Sequence, residues 1–244
     1  VKASSGIIGE DGQRYEENGR AASLLAKASV DSLLLKSDMT DKSAALSVIA
    51  GQVHVRGDMA LEGYTSSTIQ GGTSTRKNAD GTDYTTVLGA KQGFLEAGTQ
   101  SSLTVEGKFS FDQADNGKTP QITFNHGATF TANAAEQNGQ TSLYVYGAPA
   151  GQVVDVDGTL WQDENGRNAG VRGTLKVTDA YVLRGDNTLG AGKGKATLSA
   201  AGSDLEIGSL VMENGANVSL GGQSANMLND DGTEVVVQAQ NGNK

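Results

Sequence analysis

The residues whose types and spacing can do chemistry are two histidines, several carboxylate pairs, two Arg-Gly-Asp triplets and a few aromatics. His54 and His126 lie far apart in sequence. A nucleophilic triad needs one of them beside an activated serine and a carboxylate. Neither has that context: His54 alternates outward between Val53 and Val55, and His126 sits at a turn. Both read as ordinary surface histidines. With 2 histidines and no cysteines, a His-rich or thiolate metal site and a disulfide framework are all excluded.

Asp155 and Asp157, in Val-Val-Asp-Val-Asp-Gly, share one outward face at a period of two. Paired carboxylates of that kind can serve glycoside hydrolysis or ligate calcium. Asp163-Glu164 and Asp230-Asp231 are similar pairs. No EF-hand loop and no Gly-Gly-x-Gly-x-Asp repeat accompanies them. Aspartate in glycine-rich turns has a backbone reason of its own, so these pairs read as solvated turn residues.

Arg56-Gly57-Asp58 and Arg184-Gly185-Asp186 each follow a strand-like run. An integrin would read them by carboxylate and guanidinium; a repeated tile would simply repeat its turns. The turn reading is preferred. Tyr144 and Tyr146 share the face opposite Leu143 and Val145, and Trp161 is the only tryptophan. Outward aromatics stack on sugar rings or anchor a protein partner. Tyr144, Tyr146 and Trp161 are therefore the candidate ligand-binding residues, set against a role in merely capping a ladder.

The elements that must position these groups are short. Leu205 and Ile207 flank Glu206, and Val218 and Leu220 flank Ser219. Such pairs, separated by Gly, Ser, Asn or Asp, predict very short strands with one buried face joined by tight turns. The pattern recurs at Leu103/Val105, Phe109/Phe111, Ile122/Phe124 and Leu143/Val145. Gly173, Gly194 and Gly215 are roughly twenty residues apart, a solenoid-scale period. Asp112–Pro120 and Asn133–Gln140 read as insertions. Tyr64–Thr86 reads as a protruding loop or polar hairpin. Arg20–Ser37 suits either an amphipathic helix or two strands broken at Ser29–Ser32, with strands preferred.

The expected architecture is all-β, a right-handed parallel β-helix with protruding loops, of around 11 or 12 turns and on the order of 50 Å long. A β-sandwich is the competing reading. The whole chain, 1–244, reads as one such domain: residues 1–43 an N-terminal cap or irregular coils, 44–244 regular coils with the loop at 64–86. The 34 glycines among 244 residues, 2 prolines and 36% hydrophobic content fit a long, thin core better than a compact globule. The net charge of −9 argues against nucleic acid and anionic membranes. No apolar run approaches the roughly 18 residues of a membrane span.

Glu213-Asn214-Gly215-Ala216-Asn217-Val218-Ser219-Leu220 resembles the repeat of bacterial autotransporter passenger domains, the pertactin- and haemagglutinin-like β-helix adhesins. Asn125-His126-Gly127-Ala128-Thr129-Phe130 and Val156-Asp157-Gly158-Thr159-Leu160 resemble it too. The resemblance covers roughly Gly89 to Val237. It implies export by a Gram-negative cell and display on its surface or secretion, anchored through a translocator domain absent from this sequence. It also implies adhesion or self-association without catalysis or cofactor. The partner would be a host-cell or matrix protein, a glycan, or another copy of the chain. A β-helix polysaccharide-degrading enzyme and a structural stalk are the alternatives.

Overall fold

A computed structural model describes residues 16–17, 20–21, 26–71, 73–77, 83–88, 101–114, 117–154, 162, 165–186, 194–222, 225–228 and 234–237. The strands at 16–17, 20–21, 73–77, 83–88, 225–228 and 234–237 are described by backbone alone. Among the described residues every regular element is a β-strand.

Two parallel sheets carry the core. The first holds two columns. Column 1 stacks Ala26–Val30, Gly51–Val55 and the opening halves of Ser102–Asp112, Thr129–Asn138, Gly173–Arg184 and Ser203–Glu213. Column 2 stacks Leu33–Ser37, Met59–Gly63 and the closing halves of the same four long strands. The second sheet is column 3: Ser47–Ile49, Ser66–Gln70, Gln121–Asn125, Thr141–Tyr146, Ala196–Ala201 and Asn217–Gly221. The chain visits columns 1, 2 and 3 in that order, and each visit is called a rung, numbered 1 to 6 from the first.

The rungs form because apolar residues alternate with Ser, Thr and charged ones, and every strand stacks in register with the one before. Thr129-Phe130-Thr131-Ala132 buries Phe130 and Ala132 and turns both threonines outward. One cluster joins all three columns, with Val53, Val105 and Val177 from column 1, Met59 and Leu61 from column 2, Ile122 and Leu198 from column 3. Phe109, Phe111, Phe124 and Phe130 are fully buried, and their ring centroids lie 4.6 to 5.0 Å apart in successive contacts. Each such aromatic contact adds about 1 kcal/mol beyond area burial.

One polar network crosses this core. Gln137 and Tyr181 are both fully buried. The Tyr181 hydroxyl donates to Gln137 Oε1 at 2.6 Å. Gln137 Nε2 donates to Thr141 Oγ1 at 3.0 Å and to the Thr197 carbonyl at 3.2 Å. Ala135 precedes Tyr181 in the same inward row, and its small side chain leaves room for the phenol.

Several expectations change. The described residues make six rungs rather than 11 or 12, a rise of about 24 Å from first to last at roughly 4.8 Å per step. A rung of three strands and their corners consumes more chain than the expected twenty residues. Column 1 strands begin at 26, 51, 102, 129, 173 and 203. Gly194 and Gly215 precede column 3 strands, whereas Gly173 opens a column 1 strand. Their even spacing is therefore not the rung period.

Asn133–Gln140 is not an insertion, since Ala135 and Gln137 point inward from column 2. Their small and polar side chains hid the strand. Tyr64–Thr86 divides in two. Ser66–Gln70 belongs to column 3 with Ser67 and Ile69 buried, while Thr73–Lys77 and Asp83–Leu88 form an antiparallel hairpin joined in parallel by Val153–Val154. Ala26–Val30 and Leu33–Ser37 are strands, with the break at Asp31-Ser32.

The repeated Gly-Ala motif is a turn signature. In Asn125-His126-Gly127-Ala128 the Ala128 N–H donates to the Asn125 carbonyl at 3.2 Å, with φ of 56° and 79° at the central pair. In Glu213-Asn214-Gly215-Ala216 the same bond is 3.1 Å, with φ of 51° and 83°. Two positive φ values in a four-residue turn mark the primed type, which Asn and Gly favour. The first turn leads from column 3 to column 1 and the second from column 2 to column 3. The motif marks a corner, and not always the same one.

Candidate functional site

Tyr144 and Tyr146 leave strand Thr141–Tyr146 on the face opposite Leu143 and Val145, which are fully buried. Their rings stack with centroids 5.9 Å apart and planes at 23°. Register sets Thr123 and Ser199 on either side of Tyr144, and Ala201 beside Tyr146. The adjacent outward row carries Gln121, Ser142, Thr197 and Asn217. The result is an aromatic platform, half-buried at its base and rimmed by hydroxyls and amides. Such a surface offers apolar area to one face of a ligand and hydrogen bonds to its edge. Trp161, the third predicted ligand-binding residue, lies outside the described residues, as do Asp155, Asp157, Asp163, Glu164, Asp230 and Asp231.

A second outward feature lies on column 1. Lys27, Ser29, Gln52, His54, Thr104 and Glu106 line an open depression of about 700 Å³. His54 Nε2 is 2.9 Å from Glu106 Oε1, one rung away and half-exposed. The outward placement of His54 agrees with the alternation around it. Its partner was not foreseeable, because Glu106 sits at the bend after column 1 and only the stacking register brings the two together.

His126 differs from a surface histidine. Its backbone is left-handed at the corner, and in the half-buried ring Nδ1 is buried without a hydrogen-bond partner. Burial holds its imidazole below the ordinary value of 6.5.

Several other charges among the described residues pair along the stack. Lys36 meets Glu62 at 2.9 Å, Lys176 meets Glu206 at 2.8 Å, and Arg172 meets Asp204 at 2.8 Å. Glu136 is bound by Lys108 and Arg184, and Arg184 also reaches Glu213 at 2.9 Å. The Lys108 hydrogen bond leads in holding the Glu136 carboxyl below the usual carboxylate range. Solvent screens exposed pairs like these, so they add little to stability. Among the described residues no group of three His, Asp or Glu side chains is placed to share a metal ion.

Both Arg-Gly-Asp triplets are engaged within the stack. Arg56 donates through Nε and Nη2 to Asp31 Oδ1 at 2.9 and 2.6 Å, and through Nη1 to Ser29 Oγ at 2.9 Å. Asp58 Oδ1 accepts the Lys108 N–H at 2.8 Å, so it fastens rung 2 to rung 3. The Gly185 N–H donates to the Glu213 carbonyl at 3.1 Å and the Asp186 N–H to Gly194 at 2.6 Å. These contacts are what a turn requires, and they occupy the arginines an integrin would need.

No known protein family, curated protein or solved structure matches the chain.

Proposed function

We propose that the parallel columns wind as a right-handed β-helix, and that this stem is an adhesive module of a bacterial surface or secreted protein. On this reading it binds a glycan, a host or matrix protein, or another copy of itself through its flanks, without catalysis. The observation that carries the proposal is the stacked Tyr144–Tyr146 pair, outward on a sheet whose neighbouring positions include Ser, Thr, Asn and Gln. The likeness of two corner motifs to the passenger repeat of autotransporter adhesins supports the same reading.

The test is adhesion by beads coated with the chain. Coated beads should bind cells, matrix proteins or immobilised glycans, or clump with one another. Tyr144→Ser with Tyr146→Ser should abolish this while leaving the β-sheet circular dichroism intact, because both side chains point away from the core. Undiminished adhesion by the double variant would remove the tyrosine face from the account. New reducing ends on incubation with acidic or neutral polysaccharides would favour a degrading enzyme instead.

A further inference from the structure

Among the described residues, the two ends of the stack close the core only halfway. Val30, Leu33 and Leu35 on rung 1, and Leu205, Ile207 and Val218 on rung 6, are partly buried against it. Leu34, Leu210, Met212 and Leu220 are 57%, 45%, 47% and 54% exposed. The rows of stacked residues also end in complementary ways. One outward row runs from Lys27 through Gln52, Ser102, Thr129 and Thr174 to Asp204. Another runs from Lys36 through Glu62, Asp112, Asn138 and Arg184 to Glu213. A third begins at Leu34 and ends at Val211. The first two rows therefore start on a cation and finish on an anion, and the third is apolar at both of its ends, with Ser110 and Glu136 between.

We propose that a second copy of the chain stacks its rung 1 on rung 6 of the first, continuing all three columns from molecule to molecule. In-register docking sets Lys27 beside Asp204, Lys36 beside Glu213 and Leu34 beside Val211. It lays Leu33 and Leu35 over Leu210 and Met212. The charge arrangement repeats one already inside the molecule, where Arg184 lies between Glu136 and Glu213. Strand direction is the same on both faces, so the join adds parallel ladder bonds to edges that a sheet otherwise leaves open. Rung 1 starts at column 1 and rung 6 finishes at column 3, so both covalent connections meet the stack at the same corner. A head-to-tail contact does not use itself up, and the product is a linear filament rather than a closed dimer. The proposal goes beyond the adhesive reading and rests on the rung stack, not on Tyr144 and Tyr146.

The experiment is sedimentation velocity with light scattering on the full chain, from low to high micromolar concentration. The weight-average mass should climb from the 25.0 kDa of one chain without a plateau at the dimer. Lys27→Glu with Lys36→Glu makes both ends acidic; Asp204→Lys with Glu213→Lys makes both basic. Each variant alone should associate roughly tenfold or more weakly, since two attractive pairs become repulsive. An equimolar mixture of the two should associate again. Leu34→Glu, at an outward and exposed position that the fold tolerates, should also block growth. Circular dichroism checks that every variant is folded, and Tyr144→Ser with Tyr146→Ser should leave filament growth unchanged. A mass fixed at one chain at all concentrations overturns the proposal. So do charge variants that associate like the parent, a mixture that stays monomeric, or loss of association in the tyrosine variant.

Discussion

Tyr181→Phe removes one oxygen from the middle of the core. Its hydroxyl donates to Gln137 Oε1 at 2.6 Å, and both residues are fully buried. Burial pushes the phenol well above its ordinary value of 10.0, so it remains a donor throughout the working pH range. Without it Gln137 Oε1 has lost a buried donor, while Nε2 keeps Thr141 and the Thr197 carbonyl. An orphaned buried acceptor costs about 1–3 kcal/mol. In a chain of this length about 2 kcal/mol lowers Tm by roughly 4–8 °C. Gln137→Met alone should cost a similar amount by stranding the phenol. The double variant, with Phe beside Met, replaces both partners by apolar groups and should lose less than the sum by about 1–2 kcal/mol. Urea and thermal melts followed by circular dichroism measure all four proteins. Strict additivity, or no loss in Tyr181→Phe, would refute the network as a source of stability.

His126→Asn should stabilise the chain and flatten its acid response. The buried imidazole is harder to protonate than an unfolded one, so its contribution is intact above pH 6.5 and declines as the pH falls below that value. Asparagine tolerates the left-handed turn, as Asn214 does in the like turn at another corner. Melts at pH 7 and pH 5 should show the gap between the two proteins widening in acid; a constant gap would count against the desolvated ring. Gly107→Ala should cost about 1–3 kcal/mol, because an added Cβ would meet the Gly57 carbonyl at 2.8 Å and the Asp58 carboxylate closer still. Gly117→Ala is a control that meets nothing within 4 Å, so only its left-handed backbone, at φ 74°, is penalised. Equal melting losses in the two would contradict the close approach of rungs 2 and 3.

Strand-sized pieces were legible wherever large apolar residues alternate, as in Leu103/Val105 and Phe109/Phe111. Inward positions filled by Ala135 and Gln137 give no such signal, so the half-strand that carries them reads as part of an insertion. The outward pairing of Tyr144 with Tyr146 follows from a period of two and could be read directly. The ring stacking could not, nor could contacts set by rung register, such as His54 with Glu106 or Asp58 with the Lys108 N–H. Register depends on how much chain each corner consumes, and the corners vary. The same cause hides the period: corners on either side of column 3 take left-handed residues such as Gly63, Gly139, Gly194, Gly202 and Gly215, so glycines recur more than once per rung.

The account stands on successive passes of the chain stacking in parallel. The 244 residues contain no cysteine, so nitroxides can be placed cleanly on Ser47→Cys and Ser219→Cys. Those positions share one outward row through Thr68, Thr123, Tyr144 and Ser199. Pulsed electron-spin resonance on dilute protein should give one narrow distance near 24 Å, five steps of about 4.8 Å, widened only by the label arms. A broad distribution, or a single distance beyond about twice that rise, would contradict the stack.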